Sequence, residues 1–116
     1  MSLSELSEAA RAFTSQIIGL CRTPGHEILK DLLLWSAGGM AYHIEEASFQ
    51  RTAAAKEREM GEAERLGRRA AYWLSYLIRT RALPQEADRA EAALEKLRRK
   101  IRRRVSEGDR EPDPEK

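Results

Sequence analysis

The amino-acid sequence predicts an all-α protein with the architecture of an up-down-up-down four-helix bundle. Three observations support this: residues that favour helices dominate, apolar residues recur three and four positions apart in four segments, and no segment alternates like a strand. With 116 residues, the chain has room for one small core. We therefore expect a bundle over residues 1–105 and a disordered charged tail over 106–116.

The first two helices are marked by the residues that start them. Ser2, followed by Glu three positions later, has the form of a capping box and predicts a helix over about residues 3–21. Thr23 as N-cap and Pro24 as first helical residue predict a second helix over about 24–48. The first helix is expected to bury Leu6, Ala9, Ala10, Phe13, Ile17 and Leu20.

The last two helices follow from apolar spacing and one proline. After a break at 48–52, a long third helix is expected to end near Ala82. Pro84 opens a fourth helix that ends near Val105. The residues expected in the core are Ala63, Leu66, Ala70, Trp73, Leu74 and Leu77 of the third helix and Ala87, Ala90, Leu94, Leu97 and Ile101 of the fourth.

The second helix is apolar on nearly all sides, so it has one more apolar face than a lone bundle can bury. One interpretation is self-association through the outward face; the alternative is an apolar surface that the protein tolerates. We expect the inward face to hold Ile28, Leu32, Trp35, Gly39, His43 and Ala47, and the outward face, the predicted oligomer contact, to hold Leu34, Ala37, Gly38 and Ala41.

The net charge of +2 hides two strongly basic segments. Residues 65–81 carry five basic side chains and residues 96–104 carry seven, and neither segment contains an acidic residue. One such run is often a solvated helix face, but two in a small chain favour an anionic partner, above all nucleic acid.

The third helix places arginines and tyrosines on one face, opposite its apolar residues. Arginine pairs with phosphate or carboxylate, and tyrosine stacks on a base or fills a pocket in a protein partner. Alternatively, the tyrosines pack at a subunit contact and the arginines stay in water. The predicted binding residues of this face are Arg65, Arg68, Arg69, Tyr72, Tyr76 and Arg79.

The fourth helix carries a basic ridge that is expected to face solvent. Contacts from such a ridge to phosphates give an affinity that depends on salt and not on base sequence. The ridge comprises Arg98, Arg99, Arg102 and Arg103, which point away from the apolar Leu97 and Ile101, whereas Lys96 and Lys100 flank those apolar residues.

Signals for catalysis, metals or cofactors are weak. A phosphate-binding loop, a dinucleotide-binding glycine motif, a nucleophile elbow and a zinc-type cysteine pair are all missing from the sequence. His43 and Glu46 make one reversed His-x-x-Glu pair, whereas a di-iron bundle needs two Glu-x-x-His motifs and two further glutamates. We expect no enzyme, no metal and no cofactor, with Cys21 a small buried residue.

The longest uncharged stretch, Leu32 to Ile44, has 13 residues, fewer than the roughly 18 that a membrane span requires. The first residues show neither a basic segment nor an apolar core of an export signal, and one cysteine allows no internal disulfide. A cytoplasmic protein without membrane contact is expected.

Residues 32–47 form a run of apolar and small residues, and this run carries a family resemblance. It resembles a segment ending in an Asn-Ile-Ala-Glu-Gly-like stretch in a family of small four-helix bundles. That family includes proteins encoded in intervening sequences of bacterial ribosomal RNA genes and the accessory variability determinants of diversity-generating retroelements. Ile44 and Glu46 match the stretch, whereas His43 and Ala47 differ.

A second stretch is closer to the accessory variability determinants. Residues 71–77, Ala-Tyr-Trp-Leu-Ser-Tyr-Leu, resemble their aromatic-Trp-Leu-x-aromatic-Leu run, and Leu83-Pro84 then opens a last helix that ends in basic residues, as theirs does. The resemblance implies a homopentameric barrel of five bundles that binds the retroelement's reverse transcriptase and nucleic acid, template RNA or cDNA, in mutagenic retrohoming. It implies no catalytic role.

Two other functions remain open at this point. If the protein belongs to the ribosomal RNA intervening-sequence branch, it would still form the oligomer but would have no reverse transcriptase as partner. A non-enzymatic protein-protein adaptor would use the same arginines against acidic protein surfaces. A metal enzyme of the carboxylate-bridged type is a more distant alternative.

Overall fold

The computed structural model describes residues 1–108, with side chains to residue 106, and its described part contains four helices and no strand. The helices are α1 (Leu3–Leu20), α2 (Glu27–Phe49), α3 (Ala53–Arg79) and α4 (Ala87–Gly108). α1 packs against α2 and α4, and α3 packs against α2 and α4. This is the square arrangement of a four-helix bundle, as the sequence predicts.

The capping box at the start of α1 is confirmed. The Ser2 hydroxyl accepts a hydrogen bond from the Glu5 backbone N–H at 3.1 Å, and the Glu5 carboxylate accepts one from the Ser2 N–H at 3.3 Å. Hydrogen bonds to the Glu5 carboxylate from the Ser2 side chain, and next from the Ser2 backbone, hold the pKa of that carboxyl below its ordinary value. Two of the unpaired amides at the helix start are therefore satisfied locally.

The start of the second helix differs from the prediction. Pro24 lies in the turn, and α2 begins three residues later because Gly25 and His26 adopt positive φ angles of 99° and 59°. Thr23 does not cap the helix. Its backbone carbonyl and its hydroxyl, the latter at 3.0 Å, accept hydrogen bonds from the ammonium of the buried Lys30.

The other helix ends also differ slightly from the prediction. Thr52 caps α3 through its hydroxyl, which accepts from the Ala55 N–H at 3.1 Å. Pro84 precedes α4 instead of opening it, and its carbonyl accepts from the Ala87 N–H at 3.0 Å. α4 continues past residue 105, so residues 106–108 of the expected tail are helical, while residues 109–116 lie outside the described part.

The core is made of apolar side chains from all four helices. Those predicted for the first and fourth helices are buried, apart from Ala9, which packs at the edge of the core. In the third helix, Leu66 and Trp73 are half-buried and the other predicted residues are fully buried. Helix amphipathicity therefore places three of the four inward faces correctly.

Candidate nucleic-acid interface and subunit contact

The outer face of α2 carries large apolar side chains at intervals of seven residues. Ile28, Trp35, Tyr42 and Phe49 are 78%, 81%, 57% and 71% exposed, and together we call them the apolar stripe. Seven residues make two helical turns, so the four side chains follow one line over about 30 Å of the helix. In the single chain these four side chains face solvent.

The predicted faces of α2 are only partly right. Ile28, Leu32 and Trp35, expected in the core, are exposed, whereas Ala37, expected outside, is fully buried. Ala47 is fully buried as predicted, and Gly39 and His43 of the same predicted face are half-buried. The other residues of the predicted oligomer contact are only half-buried: Leu34 and Ala41 pack against the core, and Gly38 has no atom near the position of a Cβ. Because both faces are apolar, amphipathicity could not distinguish them.

The apolar stripe is as large as the largest apolar patches of typical monomers, which are often functional. Aromatic side chains bury about 150–250 Å² each, so the exposed parts of Trp35, Tyr42 and Phe49 offer about 450 Å². This is more than half of the ~800 Å² that each partner contributes to a standard protein interface. The geometry is therefore suited to a contact with another molecule.

The outer face of α3 carries the predicted arginines and tyrosines. Arg68 and Arg69 are exposed, and Tyr72 and Tyr76 are 61% and 45% exposed. The half-buried Trp73 contacts both tyrosine rings at steep angles, with ring centroids 4.9 Å from Tyr72 and 6.4 Å from Tyr76. These T-shaped contacts hold the two tyrosines in place at the surface.

A shallow, open groove of about 580 Å³ lies on this face next to Arg98 of α4, and we call it the tyrosine groove. Ala71 and Ser75 have small side chains, which leave the groove open. The larger side chains that line it are Arg68, Tyr72, Tyr76 and Arg79 from α3 and Arg98 from α4.

Arg98 was predicted to lie on the outer ridge of α4, but it does not. Its side chain is only 16% exposed, and its Cγ would lie 3.5 Å from a Cβ on Gly67, so the missing side chain of that glycine makes room for it. Its guanidinium lies 3.5 Å from the Glu95 carboxylate, while its buried Nε has no hydrogen-bond partner within the described residues. Arg98 thus forms a wall of the tyrosine groove.

The rest of the ridge on α4 faces solvent. Arg99 and Arg103 are exposed, and Arg102 is exposed with an ion pair to Glu95 at 3.4 Å. On the other side of α4, Lys96 is exposed and Lys100 is half-buried, and both line an apolar groove against α1. The ridge proper therefore consists of Arg99, Arg102 and Arg103, with the two lysines facing elsewhere.

Some of the predicted arginines are already neutralised. Arg65 pairs with Glu62 at 2.6 Å, and Arg79 lies 3.6 Å from Glu91. The Arg65 guanidinium holds the pKa of the Glu62 carboxyl below its ordinary value. Among residues 1–106, four arginines of the predicted set have no carboxylate within 4 Å: Arg68, Arg69, Arg99 and Arg103.

His43 and Cys21, the histidine and the cysteine considered above for catalysis or metal binding, lie in surroundings that suit a structural role. His43 Nδ1 lies 3.0 Å from the Glu59 carboxylate, which links α2 to α3. Burial raises the pKa of the Cys21 thiol, which is half-buried at the end of α1. In the part of the chain that is described, no three His, Cys, Asp or Glu side chains are grouped so as to hold a metal ion.

None of the helices, as far as they are described, combines the length and the apolar character needed to span a membrane. Comparisons of the chain with protein-family models, with curated proteins and with solved structures gave no match.

Sequence reasoning missed the apolar stripe, although a signal for it exists. Its four members stand at positions 28, 35, 42 and 49, an unbroken seven-residue repeat of large apolar residues. Such a repeat is typical of one helix seam that contacts another helix. No comparable signal in the sequence predicts that Arg98 lines the tyrosine groove. Its position depends on which residue of α3 lies opposite it in the bundle.

Proposed function

We propose that this protein is a non-catalytic, oligomeric scaffold that binds nucleic acid and serves as the accessory protein of a diversity-generating retroelement. The observation that carries the proposal is the group of exposed arginines on α3 and α4 that no described carboxylate neutralises: Arg68, Arg69, Arg99 and Arg103.

These arginines are suited to phosphate and not to base recognition. Each guanidinium presents several donors to a phosphate, and side chains from two neighbouring helices can follow a nucleic-acid backbone. Four phosphate contacts per chain predict that log K falls with log salt with a slope of about −3. A base-reading element inserted in a groove is not part of this proposal.

Self-association through the apolar stripe completes the scaffold. Burying the stripe against other copies removes an apolar surface from water, which is favourable at ~25 cal/mol per Å². Every copy then adds its four arginines to a shared surface, so a long nucleic acid meets many weak contacts at once. The pentameric barrel is the part of the proposal that rests on the family resemblance.

The reverse transcriptase as protein partner also rests on that resemblance. Two observations would decide it: which genes lie beside this one, and whether the protein forms a complex with a reverse transcriptase. A reverse-transcriptase gene and a template and variable repeat beside this reading frame, with co-purification of the two proteins, would support the proposal. A position inside a ribosomal RNA gene would support the intervening-sequence branch instead.

Nucleic-acid binding is tested by titrating the full chain into labelled RNA at salt concentrations from about 50 to about 200 mM. We expect an affinity that falls steeply over this range. If no RNA or DNA binds even at the lowest salt, the arginines have another purpose, and binding of an acidic protein under the same conditions would indicate the adaptor.

A further inference from the structure

We infer that the tyrosine groove is a binding site for single-stranded nucleic acid, with unpaired bases stacked on Tyr72 and Tyr76. This inference rests on the proposed function, because it assumes that nucleic acid is the ligand of the basic surface. It adds a second kind of contact, made to bases, and a preference for single strands over duplex.

The rings of Tyr72 and Tyr76 are exposed and held in position. Both are exposed, at 61% and 45%, although a tyrosine gains by burial. Both are braced by T-shaped contacts to Trp73, so their positions at the rim of the groove are set before a ligand binds. A positioned aromatic ring at the surface is a platform on which any base can stack.

The two tyrosines stand one helical turn apart on α3, about 6 Å along the axis. Neighbouring bases of one strand can therefore reach both positions. The small Ala71 and Ser75 leave a groove of about 580 Å³ next to the rings.

Two arginines lie beside the rings. Arg68 is exposed without a described carboxylate within 4 Å, and Arg98, whose side chain is 16% exposed, lies on the α4 side of the groove. A phosphate of a strand lying in the groove would pair with Arg68 and with the exposed part of the Arg98 guanidinium.

A duplex cannot use this site. Its bases are stacked on one another, so a surface tyrosine reaches a base face only after unstacking and unpairing. The exposed arginines of α4, by contrast, can contact the phosphates of either form. The groove should therefore add affinity for single strands alone, beyond the affinity that the ridge provides.

The experiment compares one labelled 20-mer as single strand, as RNA and as DNA, with the same sequence annealed into a duplex. Binding of the full chain and of Tyr72→Leu/Tyr76→Leu is followed by fluorescence anisotropy. Stacking on each ring contributes about 1–3 kcal/mol, so we expect the double variant to bind single strands at least 10-fold more weakly and duplex as tightly as before. The slope of affinity against salt should not change, since no phosphate contact is removed.

The matched control is Tyr72→Phe/Tyr76→Phe, which keeps both rings and removes only the hydroxyls, and which should bind single strands like the parent protein. Circular dichroism of each variant checks the helices. An unchanged single-strand affinity in the leucine variant, or an equal loss for duplex, would overturn the inference while leaving the proposed function intact. If the parent protein binds neither strand nor duplex at any salt, the proposed function itself is wrong.

Discussion

The outer face of α2 and the face shared by α3 and α4 belong to one small bundle, yet they differ in chemistry. The α2 face exposes Ile28, Trp35 and Phe49 to more than two thirds of their area. The α3 and α4 face exposes arginines, four of them without a described carboxylate within 4 Å. Contacts of the first kind depend little on salt, and contacts of the second kind depend on it strongly.

The difference teaches that the two surfaces can be separated experimentally. Salt should dissociate a nucleic acid from the arginines while leaving an assembly through the apolar stripe intact. The two surfaces meet where Trp35 lines one pocket with Arg68 and Tyr72, so substitutions away from that pocket should leave the other contact unchanged per subunit.

The largest effect is expected from Trp35→Gln/Phe49→Gln, which makes the apolar stripe polar at two points. Truncated aromatic anchors cost about 2 kcal/mol or more each, so self-association should weaken about 1,000-fold. Sedimentation or mass photometry at several salt concentrations measures this. We expect the parent protein to be an oligomer at high and low salt, and the variant to be a monomer.

The control for that experiment is Ile18→Gln, because Ile18 is 46% exposed on α1, away from the stripe. It should leave the assembly as it is. A parent protein that is already monomeric at micromolar concentration would remove the stripe as a subunit contact.

The second effect concerns the ridge on α4. Arg99→Gln/Arg103→Gln removes two arginines that no described carboxylate neutralises, so the salt slope should become shallower by about 1.5. Affinity for RNA near about 0.1 M salt should fall by about 10- to 100-fold. Arg22→Gln/Arg51→Gln, at two exposed arginines in the turns before and after α2, makes the same change in net charge and should bind like the parent protein. Equal losses in both would mean that net charge matters and not the ridge.

The sequence predicts most of the fold because three helices are clearly amphipathic. Leu94, Leu97 and Ile101 of α4 are buried as predicted, since every other side of that helix is polar. On α2 the same reasoning failed: Trp35 and Ala37 are both apolar, and only packing against α1 and α3 decides which is buried. The smaller side chain fits the core, and the larger one stays outside.

Details of the site depended on contacts between helices, which sequence spacing does not contain. The pairing of Arg65 with Glu62 is visible as an i, i+3 pair, but that of Arg79 with Glu91 joins two helices. The burial of Arg98 required the gap above Gly67. Likewise, the left-handed conformation of His26, which delays the start of α2, has no signal in a Pro-Gly-His sequence that also fits a helix start.

A smaller effect locates the edge of the outer face of α2. Gly38 and Gly61 are helical and have open space where a Cβ would be, so either substitution by Ala should raise the free energy of unfolding by about 1 kcal/mol. On Gly39 a Cβ would lie 2.8 Å from Leu66 Cδ1, so Gly39→Ala should gain less. Denaturant unfolding in the Trp35→Gln/Phe49→Gln background measures the chain without assembly. An equal gain at all three glycines would mean that α3 does not approach α2 closely at Gly39.

The smallest effect tests whether ion pairing decides which arginines bind. Glu62→Gln releases Arg65, so one more phosphate contact should raise RNA affinity several-fold and steepen the salt slope by about 0.8. Arg65 lowers the pKa of Glu62, so the pair persists below the carboxyl's ordinary value of 4.5. The gain should therefore be the same at pH 5 and pH 8. The small stability that the pair contributes is present above the unfolded pKa and is lost as pH falls through the folded one.

Glu8→Gln on α1 makes the same change in net charge far from Arg65, and if it raises RNA affinity equally, the local pairing is not the cause.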